Sequence, residues 1–234
     1  MKNAFKFKQF EVDQAGCAMR INTDGVLLGA IATKHNAARI LDIGTGTGVI
    51  ALMLAQRFPR AFVDAVEIDE SAAIAASRNA LNAPFANRLK VIHTAIEQYI
   101  CADRYDLIVS NPPYFVNDLK NPEHRKGIAR HADSVFFEEM LRQVAGLLTK
   151  DGCFWFILPV KQAINTVAIA ASYGLFPSSV IHLHSDEGKP EIRQIVCLDY
   201  SGVESKHQNL YIYAETGVYT AAYKLLLKDF FLAF

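Results

Sequence analysis

A short apolar strand runs straight into a glycine-rich turn and then into an apolar helix. The residues are Arg39-Ile40-Leu41-Asp42-Ile43, then Gly44-Thr45-Gly46-Thr47-Gly48, then Val49-Ile50-Ala51-Leu52-Met53-Leu54-Ala55. A buried strand that hands over to a buried helix through glycines belongs in a mostly parallel sheet with helices on both faces. Glycines also let another molecule approach the backbone closely, with the helix N-terminus behind. The next strand, Ala61-Phe62-Val63-Asp64-Ala65-Val66, ends at Glu67. That acid lies about 20 residues after the loop, where a carboxylate accepts the hydroxyls of a ribose.

The same alternation continues along the chain. Ser71 is read as the cap of a helix through Ala80, followed by a strand Leu89–His93 that ends at Thr94-Ala95-Ile96. Tyr105–Ser110 is a further strand, ending at Asn111. Apolar residues recur at helical spacing from Phe136 to Leu148. Gly152–Leu158 reads as a strand and Lys161–Tyr173 as a helix. Val180–His184 and Ile192–Leu198 pair around Glu187-Gly188-Lys189-Pro190 as a closing hairpin. The repetition predicts one doubly wound α/β domain over 1–234. It divides into an N-terminal hairpin and helix extension (1–36), a Rossmann-like core (37–200) and a C-terminal tail (201–234). The extension contains alternating residues 5–21, read as a hairpin turning at Asp13-Gln14-Ala15-Gly16. A helix follows, with Thr23 or Asp24 as its N-cap. That helix N-terminus serves either as a cap alone or as a receptor for a ligand carboxylate. In the tail, the aromatics of a helix-like Tyr219–Phe231 are read as packing residues.

The glycine pattern is G-x-G-x-G rather than G-x-G-x-x-G, and Asp42 precedes the first glycine by two residues. A carboxylate there repels a pyrophosphate and suits a ligand that bears an ammonium group. This favours S-adenosylmethionine (AdoMet) over NAD. Asn111-Pro112-Pro113-Tyr114 follows the strand that ends at Ser110. Successive prolines lack N–H donors and fix their φ angles, so their carbonyls are free as acceptors. With the Asn111 side-chain oxygen and the flat ring of Tyr114, the segment makes a receptor for a planar NH2 group. The bland alternative is a rigid loop after a strand.

Composition bounds the partners. The chain has 234 residues, 51% hydrophobic and 21% charged, which suits a soluble globular protein with one full-sized core. No apolar run spans a bilayer, and Met1–Lys8 lacks the apolar region of a signal peptide, so a cytoplasmic protein is expected. Cys17, Cys101, Cys153 and Cys197 show no C-x-x-C pair and read as reduced thiols; no metal is expected. A net charge of +0 excludes a broad basic coat and leaves room for a local basic patch. Such a patch follows the Asn-Pro-Pro-Tyr segment: Lys120, His124, Arg125, Lys126, Arg130 and His131. It is either a solvated loop or a flexible lid that clamps phosphates, with Lys2, Lys6 and Lys8 extending it.

Asp42-Ile43-Gly44-Thr45-Gly46-Thr47-Gly48, Glu67 and Asn111-Pro112-Pro113-Tyr114 together resemble the class I AdoMet-dependent methyltransferases over nearly the whole chain. Thr23-Asp24-Gly25-Val26-Leu27-Leu28-Gly29-Ala30, Asn111-Pro112-Pro113-Tyr114-Phe115, Ala129-Arg130-His131 and the ending Tyr219–Phe231 narrow this. They resemble the bacterial tRNA(Val) adenine-37 N6-methyltransferase family. The resemblance implies that AdoMet is held by Thr23, Asp24, Asp42, Gly44, Thr45, Gly46, Gly48, Glu67, Ile68, Thr94, Ala95, Ile96 and Asn111. Asn111, Pro112 and Tyr114 would be catalytic. Pro113, Phe115, Lys120, Arg125, Lys126 and Arg130 would meet the anticodon stem-loop of a tRNA, with no DNA or membrane partner. Many class I enzymes carry an acid after the third strand, where this chain has Ala95. The rivals are a ribosomal RNA guanine N2-methyltransferase, a protein glutamine N5-methyltransferase and a non-catalytic AdoMet-binding module. A glutamine methyltransferase is expected to carry a helical recognition domain for which the segment before Arg39 leaves no room, and a DNA adenine methyltransferase an inserted target-recognition domain, which is not seen in the sequence. A dehydrogenase is disfavoured by the glycine spacing.

Overall fold

The structure is a computed structural model that describes residues 4–15, 20–113 and 124–234, with the side chains of residues 124–134 outside that description. Strands β1 (Ala4–Lys6) and β2 (Glu11–Asp13) pair antiparallel, with Ala4 opposite Asp13. Their turn is at Phe7–Phe10, where the Phe7 N–H donates to the Phe10 carbonyl at 2.9 Å. The expected turn at Asp13–Gly16 is therefore displaced. Phe7 and Phe10 stack at 4.5 Å and are buried, so the aromatics rather than a glycine set the bend. Residues 16–19, including Cys17, lie outside the described residues.

Helix α1 (Thr23–Ile31) is capped by Asn22, one residue before the expected Thr23 or Asp24. Asn22 is extended, and its side chain accepts the Gly25 N–H at 2.9 Å. Helix α1 lies against α2 (Val49–Arg57) at Gly29. A Cβ on Gly29 would come within 2.9 Å of Met53 Sδ and 3.1 Å of Met53 Cβ, and Met53 is fully buried. Gly29→Val is expected to cost about 2–3 kcal/mol by overpacking this contact, read as a lower denaturant midpoint. An unchanged midpoint would mean that the two helices can separate freely.

From β3 (Arg39–Ile43) the chain alternates. It passes through α2, β4 (Phe62–Glu67), α3 (Glu70–Leu81), β5 (Leu89–His93), β6 (Tyr105–Ser110), α4 (His124–Leu147), β7 (Leu148–Leu158) and α5 (Val160–Ala170). It closes with β8 (Phe176–His184), β9 (Glu191–Asp199) and β10 (Lys206–Tyr211). Eight of these strands form one sheet in the order β10-β8-β9-β7-β6-β3-β4-β5. Every neighbouring pair is parallel except those involving β9, which runs antiparallel to β7 and β8. The expected fold class, an α/β Rossmann-like sheet with a closing hairpin, is observed.

Both faces of the sheet's centre are covered, which is why strands such as β3, β6 and β7 read as apolar runs. Ile40, Val63 and Leu107 pack on the side of α1 and α2, whereas Leu41, Val66 and Ile108 pack on the side of α4 and α5. Alternate residues of one strand thus fill two cores.

Several boundaries differ from the sequence reading. Asp69, not Ser71, caps α3: its Oδ1 accepts the Ala72 N–H at 2.8 Å and also the Ser71 hydroxyl. Strand β7 begins at Leu148 and β8 at Phe176, both before their apolar runs. The segment 201–234 is more than a tail. It adds β10 as a parallel edge strand against β8, a small antiparallel pair β11 (Tyr213–Glu215) and β12 (Val218–Tyr219), and helix α6 (Ala221–Leu227). Lys206–Asn209 are exposed and polar, so no apolar run announced β10. The tail aromatics do pack: Tyr219 stacks on Tyr213 at 5.0 Å and on Tyr223 at 4.8 Å, and Phe7 bridges to Phe231.

Candidate functional site

The strand order reverses between β3 and β6, and the C-terminal ends of these two strands face the same edge. Ile43 pairs with Ser110, and the Ser110 hydroxyl donates to the Ile43 carbonyl at 3.0 Å. Gly44 and Asn111 are the residues that follow. Sheet pairing therefore brings the glycine loop and the Asn-Pro-Pro segment side by side, although 67 residues separate Ile43 from Ser110. This is the crevice in which open α/β sheets hold their ligands.

A cavity of about 310 Å³ opens there. Gly44, Gly46, Glu67, Ile68, Thr94, Ala95, Ile96, Asn111, Pro112 and Pro113, all named as candidates from the sequence, line it. Gly44 and Gly46 have φ of +68° and +57°, and a Cβ on either would meet nothing within 4 Å. Their backbone is thus open to a close neighbour. Gly48 differs: its φ is +85°, and a Cβ there would meet Ala76 of α3 at 3.4 Å, so this glycine serves helix packing.

Glu67 is nearly buried, and its two oxygens are held apart by backbone donors. Oε2 accepts the Gly46 N–H at 2.8 Å and Oε1 accepts the Asp69 N–H at 2.9 Å. An ionised carboxylate has about four acceptor positions, so two remain for a diol. Asp42 is fully buried beneath the loop. Its Oδ2 accepts the Thr45 hydroxyl at 2.6 Å and the Ala51 N–H at 3.1 Å, while its Oδ1 has no partner among the described residues. Burial pushes its pKa up to about 7 against the two hydrogen bonds, and nearby Glu67 adds to the rise. Such a carboxyl gains from a neighbouring cation.

Asn111 is half-buried, Pro112 buried and Pro113 exposed. The Asn111 amide Nδ2 lies 3.6 Å from the position a Cβ on Gly25 would take, so the first turn of α1 abuts the segment. Asn22 takes the Gly25 N–H, which leaves those of Thr23 and Asp24 as the foremost donors of the helix. Thr23, Asp24, Asp42, Thr45 and Gly48 do not line the cavity. The Asp24 carboxylate instead accepts the Arg193 Nε–H of β9 at 2.9 Å. The Thr94 N–H donates to the Glu67 carbonyl and its hydroxyl to the Ala95 carbonyl, so both donors of Thr94 are engaged within the chain.

Tyr114, Phe115 and Lys120 lie outside the described residues. Arg125, Lys126 and Arg130 fall on α4, which starts at His124, so the stretch expected as a solvated loop or a flexible lid is helical there. The cluster of polar and charged residues there gives no apolar helical period, which is why only Phe136–Leu148 announced the helix. The cavity wall also holds residues the sequence reading did not single out, among them Asp69, Ala72, Ser110, Glu97 and Phe136. Glu97 is an acid two residues beyond the expected place at Ala95, a signal that the sequence carried. Phe136 reaches the wall from α4, and nothing local marks it.

No group of three His, Cys, Asp or Glu among the described residues is arranged to hold a metal, and no helix there is long and apolar enough to cross a membrane. Residues 21–176 match the model of the methyltransferase small domain family. The chain is 74% identical over all of its 234 residues, and all of the relative's, to a tRNA1(Val) (adenine(37)-N6)-methyltransferase of Pedobacter heparinus. It is 41% identical to the enzyme of the same name from Parabacteroides distasonis, covering 97% of each chain. Among solved structures it resembles a predicted O-methyltransferase from Agrobacterium tumefaciens, with a TM-score of 0.69, 21% identity and 88% and 96% of the two chains covered. It also resembles a ribosomal protein L11 methylase from Lactobacillus delbrueckii subsp. bulgaricus, with a TM-score of 0.58, 16% identity and 80% and 83% covered. These two likenesses concern the fold. A glycine loop and an Asn-Pro-Pro segment joined across β3 and β6, together with full-length identity of this degree, place the chain in the tRNA1(Val) (adenine(37)-N6)-methyltransferase family.

Proposed function

We propose that this chain transfers a methyl group from AdoMet to N6 of adenine-37, 3′ to the anticodon, in tRNA1(Val), as a single-domain cytoplasmic enzyme. The observation that carries the reading is the Ile43–Ser110 pairing, which sets the loop for a cofactor beside a receptor for an amino group. AdoMet brings a methyl on a positively charged sulfur, and everything else falls to the chain. Glu67 accepts the ribose hydroxyls through its remaining lone pairs. Gly44 and Gly46 admit the cofactor against the backbone. Buried Asp42 would compensate the ammonium from beneath the loop, and the N–H groups of Thr23 and Asp24 would serve the carboxylate. Ile68, Ala95, Ile96 and Phe136 offer apolar contacts to the adenine, and Glu97 supplies an acid for its edge.

Adenine N6 is a poor nucleophile because its lone pair is delocalised into the ring. The Asn111 side-chain oxygen and the Pro112 carbonyl accept hydrogen bonds from its two N–H groups and draw the nitrogen towards tetrahedral geometry. Tyr114 stacks on the base. Positioning and polarisation carry the rate, and no general base is required before the methyl has moved. An anticodon-loop base leaves its stack at little cost.

The test is transfer of labelled methyl into total RNA from a strain lacking the gene, followed by nucleoside digestion and mass analysis. Label in N6-methyladenosine from tRNA supports the proposal, and label in N2-methylguanosine from ribosomal RNA replaces it with the guanine reading. Pro113, Phe115, Lys120, Arg125, Lys126 and Arg130 are assigned to the RNA. Substituting Arg125 and Lys126 by alanine is expected to raise the KM for tRNA about tenfold and to flatten its salt dependence. Unchanged values would make this a merely solvated face.

The state of Asp42 gives a pH test. Its folded pKa of about 7 lies above the ordinary carboxylate value, so ionising it costs stability as pH rises from about 4 through 7. An ammonium group favours the ionised form. AdoMet affinity should therefore rise as pH is raised from 6 towards 7, with proton release on binding at the lower pH. Calorimetry in two buffers of different ionisation enthalpy reads this, and a flat profile would remove Asp42 from the ammonium site.

A further inference from the structure

The cavity is acidic. Its wall carries Glu67, Asp69 and Glu97 and, among the described residues, no lysine or arginine. Buried Asp42 lies just beneath the glycine loop. This suits the sulfonium and ammonium of AdoMet but opposes its carboxylate, which needs donors or positive charge nearby. The α1 N-terminus, abutting Asn111, is a nearby source of donors. Yet its own first turn contains Asp24, whose side chain is only 13% exposed. Left unpaired at that depth, Asp24 would repel a second carboxylate brought to the same helix N-terminus.

Arg193 removes the conflict. It lies on β9, 169 residues further along the chain, and its Nε–H donates to Asp24 Oδ2 at 2.9 Å. Because β9 is antiparallel to β7, its N-terminal end reaches the same sheet edge as the C-terminal ends of β3 and β6. The Arg193 side chain is 24% exposed, so bulk salt screens the pair only in part. We propose that Arg193 is a positioning residue for the amino-acid tail of the cofactor. It neutralises Asp24 and holds the first turn of α1 to β9, so that the turn presents its N–H groups to the carboxylate without a competing negative charge. The inference rests on the AdoMet reading of the cavity. It adds to that site a residue that the cavity wall does not contain and that no motif of the glycine loop or the Asn-Pro-Pro segment announces.

The test compares two ligands on the full chain by calorimetry. S-adenosylhomocysteine has the amino-acid tail, whereas 5′-methylthioadenosine keeps the adenosine and sulfur without it. R193Q should weaken S-adenosylhomocysteine by about tenfold, the effect of one uncompensated charge at short range, and leave 5′-methylthioadenosine unchanged. R193K should recover part of the loss. The double variant D24N/R193Q removes the stranded carboxylate and should recover most of it. An equal loss for both ligands, or no loss for S-adenosylhomocysteine, overturns the proposal. If R193Q does not fold, the ratio of the two affinities in D24N/R193Q and R193K decides in its place: recovery selective for the ligand with the tail supports the proposal, and an unselective defect overturns it. Failure of the unsubstituted chain to bind S-adenosylhomocysteine removes the cofactor reading itself, and this proposal with it.

Discussion

Replacing Asn111 with alanine is expected to lower the turnover of tRNA about a thousandfold while AdoMet affinity changes by no more than about threefold. The asymmetry follows from where Asn111 stands. It is half-buried at the mouth of the cavity, directly after Ser110, and the grip on the cofactor loop belongs to other residues. Gly44, Gly46 and Glu67 are untouched by the substitution, as is the Ser110 hydroxyl that joins the two loops at 3.0 Å. In the proposed mechanism, what is lost is one acceptor for the attacking amino group, an interaction worth more in the transition state than in the ground state. Single-turnover methyl transfer and a cofactor titration on the same preparation separate the two effects. Intact turnover would remove the polarisation mechanism, and a parallel loss of AdoMet binding would make Asn111 a cofactor residue first.

Glu67→Ala should act on the other side of the cavity. Its carboxylate ties the Gly46 and Asp69 N–H groups together, at 2.8 and 2.9 Å, and so fixes the loop and the start of α3 relative to each other. Hydrogen bonds to a charged acceptor contribute about 1.5–3 kcal/mol each. Losing them together with the ribose contacts is expected to weaken AdoMet about a hundredfold, or near 2.7 kcal/mol. Glu67→Gln keeps one acceptor and should fall between. An unchanged titration would move the ribose elsewhere in the cavity.

Most strands and helices from Arg39 to Leu158 were legible because they are buried on at least one face, and burial writes itself into runs of Ile, Leu, Val and Ala. β10 escaped because an exposed edge strand needs no apolar residues on most of its length. The two helix caps were misplaced by a residue or two. Asn22 and Asp69 compete with adjacent Thr23 and Ser71 for the same role, and only backbone direction decides between them.

The sequence by itself determined the chemistry on offer: glycines that open the backbone, an acid at the end of β4, an amide followed by two prolines. Their types and local spacing depend on strand, turn and helix signals that act over a few residues. Tertiary structure alone decided which of them meet. Pairing of Ile43 with Ser110 joined the two loops, α4 delivered Phe136 to the cavity wall, and β9 carried Arg193 to Asp24. These contacts join residues far apart in the chain and are set by strand order and helix packing, for which no local residue pattern codes.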